Sequence, residues 1–235
     1  LILISEALSN SVTVNQNPFR ASENCNLCFC TTSLPFVAML RDTGTRRTTL
    51  CNAIILNDRY AVTLAKCLYG RRITNTLLTV AYHDSDQPNY STDIFLSAII
   101  SHPTFNPTTL TNNIGVVRTR NRIEFNDRVQ PTSIPATDLP GNIPTTVVGW
   151  YSTRYIYFNA ITTTNIACEK ETTFVGSPMY AGEVCTIRTS PSATPAFTFT
   201  GILLEGQRPV GLQTRRVDTF IDTHVRFSFF RDWIY

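Results

Sequence analysis

Residues Leu50 to Gly70 read LCNAIILNDRYAVTLAKCLYG, and this stretch decides the fold. Two cysteines enclose an apolar, β-branched run that is interrupted by one asparagine-aspartate step, Asn57-Asp58. Branched and aromatic side chains favour strands, whereas an Asn-Asp step favours a tight turn. The stretch therefore predicts a β-hairpin whose first strand ends at Ile55 and whose second strand runs from Tyr60 to Leu64.

The composition of the whole chain is typical of an all-β protein. Segments rich in Thr, Val, Ile, Phe and Tyr are separated by 13 prolines and 10 glycines among 235 residues. A chain of this length buries roughly 70 to 75% of its unfolded surface, so it can form a large core. No apolar run approaches the roughly 20 residues that span a bilayer, which predicts no membrane span. The opening Leu1 to Ile4 is either the tail of a signal or the cut end of a longer precursor.

The charge pattern argues against a nucleic-acid partner. The formal net charge is only +3, and the basic pairs Arg46-Arg47, Arg71-Arg72 and Arg215-Arg216 are far apart in the sequence. A nucleic-acid surface needs clustered positive charge, so these pairs indicate solvated loops. The alternating arginines from 118 to 122 form the one basic stripe in the sequence.

Seven cysteines indicate an oxidising compartment, in which disulfides persist. Cys25, Cys28 and Cys30 lie within six residues of one another. A zinc site would need further closely spaced ligands, but no second C-x-x-C motif follows and the three histidines are spread apart. The sequence therefore predicts disulfides, no metal and no cofactor.

The hairpin resembles the segment of chymotrypsin-like serine proteases that carries the catalytic histidine. In that family the histidine stands immediately before the second cysteine, in a sequence like T-A-A-H-C. Here residues 63 to 67 read TLAKC, so Lys66 stands at the histidine position. Five further stretches resemble motifs of this family and follow in the family's order: Leu34–Leu40, His102–Phe105, Ile123–Pro131, Val147–Trp150 and Thr223–Ile234.

For the fold, the resemblance implies an all-β protein with two packed six-stranded antiparallel β-barrels and a C-terminal helix. Residues 1–30 would form an N-terminal lead-in with the cysteine cluster, and residues 31–235 would form a trypsin-like domain. Within that domain we expect the first barrel at about 31–130, the second at about 140–228 and the helix at 229–234.

The resemblance also implies two disulfides, between Cys51 and Cys67 and between Cys168 and Cys185. Three cysteines then remain in the amino-terminal cluster, and three cannot all pair with one another. A local bridge can join two of them, so at least one is free, capped or bonded to another chain.

On this alignment the catalytic triad of the resembled family is degenerate. Asn113, in a stretch similar to N-D-I-A-L-L, stands where the family has its aspartate. The nucleophile motif G-D-S-G-G-P aligns with residues 190–195, SPSATP, which places Ser192 at the nucleophile position with Ser190 as a competitor. Ser190 also replaces the glycine whose amide binds the oxyanion, and Pro191 replaces the aspartate that receives the activated amine.

The strand edge to which the family's substrates add is altered as well. Residues 201–206, GILLEG, align with G-I-V-S-W-G and place Leu204, Glu205 and Gly206 at its last three positions. The loops after Trp150 and Cys185 are short for the family, so we expect a narrowed or blocked groove between the barrels.

A lysine at the position of the base changes the chemistry. Its reference pKa is near 10.4, whereas that of histidine is near 6.5, and a protonated lysine cannot accept a proton. A serine-lysine dyad would need burial to depress the lysine pKa by several units. The sequence therefore favours an inactive serine protease homologue, a pseudoenzyme, with weak Ser-Lys proteolysis as the alternative.

For such a pseudoprotease the resemblance implies a secreted binding protein, cofactor or decoy in an extracellular proteolytic or innate-immune cascade. The alternatives are an inhibitor of a host cascade such as complement, and a structural or adhesive subunit held through an unpaired cysteine. We therefore expect protein partners, with a covalent partner in the last case. Asn89 begins the chain's one N-x-S/T sequon, which predicts glycosylation.

Overall fold

A computed structural model describes residues 34–45, 47–81, 91–151, 154–171, 178–189, 197, 200–217 and 219–235. Within these residues, twelve strands form two closed antiparallel barrels of six strands each. The predicted fold class is therefore confirmed.

The first barrel is built around the hairpin that the sequence predicted. Asn57 Oδ1 accepts hydrogen bonds from the backbone N–H groups of Arg59 and Tyr60, at 2.9 and 3.0 Å, and so fixes the turn. The strand order is β1-β2-β3-β6-β5-β4, with β4 pairing back to β1. The strands are β1 Val37–Asp42, β2 Thr49–Ile55, β3 Tyr60–Thr63, β4 Thr76–Val80, β5 Thr92–Ser101 and β6 Gly115–Thr119.

The second barrel follows the proline-containing connection after residue 130. Its strand order is β7-β8-β9-β12-β11-β10, with β10 pairing back to β7. The strands are β7 Pro144–Tyr151, β8 Arg154–Thr163, β9 Glu183–Arg188, β10 Ile202–Glu205, β11 Arg208–Arg216 and β12 Ile221–Arg226.

Short helices complete the described structure. The terminal helix α3 spans Arg231–Ile234, a single turn that lies inside the predicted range. Helix α1, Ala65–Leu68, follows β3 and carries Lys66, while α2 spans Asn165–Glu171 and a 3-10 turn spans Ile73–Asn75. Among the described residues, no helix is long and apolar enough to cross a membrane.

The largest apolar core is shared by the two barrels. Trp150 of β7, 1% exposed, packs in the same cluster as Met39 and Ile54 of the first barrel. Phe227 and Phe230, near α3, belong to this cluster as well. Because burial of each large apolar side chain contributes about 1.5–3 kcal/mol, this shared core holds the two barrels against each other.

Both expected disulfides are present. Cys51 of β2 is bonded to Cys67 of α1, and Cys168 of α2 is bonded to Cys185 of β9. Each closes a loop of similar length, and loops of about 15 residues give a disulfide stabilisation of about 3 kcal/mol in the chain-entropy model. The cysteines at positions 25, 28 and 30 and the sequon at Asn89 lie outside the described residues.

Candidate functional site

Lys66 lies where the two barrels meet, and two polar contacts fix it there. Its backbone N–H donates to Asn113 Oδ1 at 2.8 Å, and its Nζ donates to the backbone oxygen of Thr214 at 2.6 Å. The first contact lies within the first barrel, and the second reaches β11 of the other barrel. The structure thus brings together the residues at the expected histidine and aspartate positions. The expected nucleophile segment, Ser190, Pro191 and Ser192, lies outside the described residues.

The environment of Lys66 changes its acidity. Burial is the main cause, and the nearby positive charge of Arg215 adds to it, so that the pKa of Lys66 falls from 10.5 to about 8. At pH 7 the side chain is still mostly an ammonium group. Its role in the described site is therefore that of a hydrogen-bond donor.

Asn113 is a neutral group in a buried position. Its side chain is 2% exposed, and its Nδ2 has no hydrogen-bond partner among the described residues. A buried amide N–H without a partner costs about 1–3 kcal/mol. The side chain positions Lys66 through its oxygen, but it brings no negative charge to the site.

An open cleft of about 500 Å³ surrounds the contact between Lys66 and Thr214. Its lining comes from both barrels and includes the disulfide-bonded Cys51 and Cys67. The described residues thus form a concavity large enough for several side chains. Four of its lining residues are basic and three are large and apolar, and no Asp or Glu lines its described part: Lys66, Arg71, Arg215 and Arg216, with Leu50, Tyr69 and Phe197.

Arg215 is held in the cleft wall by a buried carboxylate. Its Nη2 donates to Glu183 Oε2 at 2.9 Å, and the hydroxyl of Thr214 donates to Glu183 Oε1 at 3.2 Å. Burial raises the pKa of Glu183, and the charge of Arg215 opposes that rise. Glu183 thus orients the arginine from inside the barrel and does not itself line the cleft.

The interior of the second barrel next to β11 is filled by a buried ion pair. Arg188 Nε and Nη2 donate to Asp222 Oδ2 at 3.1 and 3.0 Å, and the side chains are 2% and 0% exposed. Gln213 donates its amide N–H to the other oxygen of Asp222, and the guanidinium lies 3.7 Å from the ring centre of Phe158. Charged and amide side chains therefore occupy the space behind the cleft wall.

His224 belongs to the same buried region and takes no part in the cleft. It is fully buried, and its Nε2 lies 2.9 Å from the hydroxyl of Thr186. Burial, with a smaller contribution from Arg188, lowers the pKa of His224 to about 3. The histidine is neutral at physiological pH and acts as a packed structural residue.

The prediction that residues 204–206 form the strand edge to which a substrate adds is wrong. Leu204 and Glu205 belong to β10, which pairs with β7 on one side and β11 on the other, and Gly206 lies in the turn to β11. A strand that is paired on both sides has no free edge for a substrate. Leu204 is fully buried, and Glu205 is paired with Arg208.

The cleft is bordered by the end of strand β11 and not by β10. Residues 211–216, GLQTRR, also fit G-I-V-S-W-G, with glycine first, an apolar residue second and a hydroxyl residue fourth. This signal was available in the sequence. The expectation that Arg215 and Arg216 lie in a solvated loop was also wrong, because both belong to β11 and line the cleft together with Arg71.

A second polar contact joins the barrels next to the cleft. The backbone N–H of Asn52 in β2 donates to Thr200 Oγ1 at 3.1 Å, and the Asn52 side-chain amide donates to the backbone oxygen of Thr200. Asn52 is fully buried and Thr200 lies just before β10. The contact fixes the start of β10 against the first barrel.

The family of the chain follows from comparison with known proteins. The family model described as Trypsin matches residues 30–186, which is more than half of the chain. The chain therefore belongs to the trypsin family. The fold agrees, since neuropsin, a serine protease expressed in mouse brain, superimposes with a TM-score of 0.75 over 88% of this chain and 96% of its own, at 17% identity.

Curated relatives include a protein named as an inactive protease and one named as a clotting factor subunit. The chain is 24% identical over 121 residues to the inactive serine protease scarface of Drosophila melanogaster, which covers 50% of this chain and 18% of that protein. It is 30% identical over 109 residues to the clotting factor G beta subunit of Tachypleus tridentatus, covering 43% of this chain and 35% of that protein. The chain spans about half the length, or less, of the curated relatives it matches.

Proposed function

We propose that this trypsin-family chain is a secreted, non-catalytic binding protein that acts as a cofactor or decoy in an extracellular proteolytic or innate-immune cascade. One observation carries the proposal. The residue at the position of the catalytic base is an ammonium donor whose Nζ is bound to the backbone oxygen of Thr214 at 2.6 Å.

Proton transfer explains why this contact opposes catalysis. A general base needs a free lone pair within reach of the nucleophile, and a protonated lysine has three N–H donors and no acceptor. In the resembled family an aspartate stabilises the cation that forms on the base. Asn113 is neutral and binds the backbone of Lys66, so it offers no such stabilisation.

Extracellular action is supported by the two disulfides of the described chain, because such bonds persist in oxidising compartments. A relative named as a clotting factor subunit and one named as an inactive protease make a cascade role a reasonable extension. Surface loops around the open cleft would then bind a partner protein, whereas active relatives cleave a peptide.

The test is covalent labelling by a serine-directed fluorophosphonate probe, alongside hydrolysis of a peptide library. We expect no labelling and no cleavage under conditions in which an active trypsin reacts fully. Cross-linking in the extracellular fluid of the source organism should meanwhile recover a defined protein complex. Labelling of Ser192 at a rate comparable with that of trypsin, abolished by Ser192→Ala, would overturn the proposal.

Weak serine-lysine proteolysis is the competing function, and the lowered pKa of Lys66 favours it. It predicts a distinct pH profile, in which hydrolysis rises as pH increases through about 8 and Lys66 loses its proton. The non-catalytic proposal predicts no hydrolysis on either side of that value. A comparison at neutral and alkaline pH, with Lys66→Met as the control, separates the two.

A further inference from the structure

We infer that the cleft between the barrels docks an acidic peptide segment of a partner protein, recognised through carboxylate side chains. This inference rests on the proposed function and adds the chemistry of the partner to it. The carrying observation is the convergence of Lys66, Arg71, Arg215 and Arg216 on one concavity of about 500 Å³.

The charge of the cleft differs from that of the whole chain. Basic and acidic residues are nearly balanced overall, with 20 Lys and Arg against 17 Asp and Glu. The described cleft lining has four basic residues and no acidic one. A concave wall of low polarizability focuses such a field and raises the local concentration of anions.

The basic groups are close enough to influence one another. The charge of Arg215 contributes to the lowered pKa of Lys66, which places the two cations in one electrostatic environment. Glu183 neutralises part of the charge of Arg215, since the two form an ion pair at 2.9 Å. Arg216 also interacts electrostatically with the buried Asp222, so the uncompensated positive charge of the described lining is carried mainly by Lys66 and Arg71.

Carboxylates suit the geometry of this lining. Guanidinium groups present parallel N–H donors that match the two oxygens of a carboxylate, and the ammonium group of Lys66 adds a compact charge. Arg71 is exposed on one wall, whereas Arg215 and Arg216 are half-buried in the opposite wall. An acidic side chain between the walls would therefore meet donors from both barrels.

The apolar lining favours a peptide over a polyanionic glycan. Leu50, Tyr69 and Phe197 line the cleft together with the charged groups, and they offer contact area for an aliphatic or aromatic side chain. A sulfated glycan is recognised by an extended stripe of basic residues. The arginine stripe from 118 to 122 lies elsewhere, and its Arg122 is paired with Asp58 at 3.0 Å.

Lys66 also determines how the occupant would bind. Its Nζ donates a hydrogen bond to the backbone oxygen of Thr214, which lies near the end of β11 on the cleft wall. That oxygen has two lone pairs, so main-chain pairing by an occupant would have to share the acceptor with the lysine. This competition weakens main-chain pairing at Thr214 and favours recognition through side-chain carboxylates.

The probe is a fluorescein-labelled hexapeptide with four glutamates, one phenylalanine and one leucine, together with its counterpart in which lysines replace the glutamates. Fluorescence anisotropy on the full chain should show saturable binding of the acidic peptide alone. The affinity should fall when salt is raised from about 50 to about 300 mM, because exposed charges are screened over a few ångströms at the higher value.

Two charge reversals in the cleft and one matched reversal outside it locate the site. We expect Arg71→Glu and Arg216→Glu each to weaken binding at least about tenfold, whereas Arg118→Glu, an exposed control with the same charge change, should alter it less than about twofold. Thermal melting confirms that each variant is folded. Equal losses in all three variants would show non-specific attraction and overturn the inference.

Other outcomes also decide the matter. Binding of a heparin hexasaccharide that depends on Arg71 and Arg216, without binding of the acidic peptide, would overturn the assignment to a peptide. Equal binding of the acidic and basic peptides would overturn charge recognition. These results leave the proposed function untouched, because that proposal fails only through covalent labelling or hydrolysis in the separate assay.

Discussion

Lys66 Nζ lies 2.6 Å from the backbone oxygen of Thr214, and this contact joins α1 of the first barrel to β11 of the second. An ammonium group thus bridges the barrels beside the cleft. The bridge is partly buried and close to a second cation, so it carries a desolvation cost that a neutral side chain would not. This cost has a measurable pH dependence.

We expect Lys66→Met to stabilise the chain by on the order of 1–2 kcal/mol near pH 7, once the lost Thr214 contact is deducted. The pKa of Lys66 falls from 10.5 to about 8 on folding, so between these values the unfolded chain binds more protons. The wild type therefore gains stability as pH rises through this window, and the advantage of the variant shrinks. Urea unfolding from pH 7 to 10 measures the difference.

Lys170→Met is the matched control for that experiment. Lys170 is exposed near the end of α2, and its replacement by Met removes the same positive charge as Lys66→Met does. Its effect should stay within about 0.5 kcal/mol, as for most surface substitutions. A Lys66→Met advantage that stays constant across the whole pH range would contradict the assigned cause.

The buried pair of Arg188 and Asp222 should be costly to break and inexpensive to replace as a unit. Removing one partner leaves an uncompensated buried charge, so Asp222→Leu and Arg188→Met should each cost about 3–5 kcal/mol. The double variant Arg188→Met with Asp222→Leu should recover much of that loss. Urea unfolding of the four proteins completes a double-mutant cycle.

An exposed ion pair provides the comparison. Arg122 and Asp58 lie 3.0 Å apart, but the arginine side chain is 75% exposed. Breaking it with Arg122→Met should cost less than about 1 kcal/mol, because solvent screens such pairs. Similar losses for Arg122→Met and Arg188→Met would show that burial does not determine the effect.

Small organic cations should not bind in the cleft. Its described lining is basic, and the space behind β11 is filled by Arg188 and Asp222, so a ligand such as benzamidine meets repulsion and no free carboxylate. Isothermal titration should detect no binding in the micromolar range, while an active trypsin serves as the positive control. Micromolar affinity for benzamidine would show a cation pocket that the described residues do not form.

The amino-terminal cysteines give a prediction that mass spectrometry can check. Four of the seven cysteines are paired in the two disulfides. The remaining three, Cys25, Cys28 and Cys30, cannot all pair with one another. A bridge between Cys25 and Cys30 is sterically easier than one between Cys28 and Cys30, which leaves Cys28 as the expected odd thiol. We expect the unreduced protein to carry a second subunit or peptide there. A monomer mass with one alkylatable thiol would contradict a covalent partner.

Local patterns were sufficient for the fold. The turn at Asn57-Asp58 and the cysteines on either side define the first hairpin, and the two barrels followed from the resemblance of the short motifs to those of a known family. Helix α2 was missed, since seven residues give too little periodicity to identify a helix. The positions of Lys66 and Asn113 in the site were also predicted from the sequence, because each residue lies beside a motif whose place in the order of motifs is fixed.

The cleft could not be read in the same way. Residues 201–206 and 211–216 both begin with glycine followed by an apolar residue, and only the strand register distinguishes them. Leu204 pairs with both β7 and β11, whereas Arg215 and Arg216 at the end of β11 pair with β12 alone among the described strands. Arg71 and Arg216 are 145 positions apart in the numbering, yet they line one concavity. Such convergence depends on the closure of both barrels, which no local pattern encodes.

The contact between Asn52 and Thr200 has a consequence for the thermodynamics of recognition. Because this buried contact ties β2 to Thr200, close to the start of β10, we expect the described walls of the cleft to keep their separation when the cleft is empty. A ligand would therefore meet a preorganised site and would cause little loss of conformational entropy in these walls. Asn52→Ala should then weaken association mainly through a less favourable entropy, even though the side chain itself would never touch the ligand.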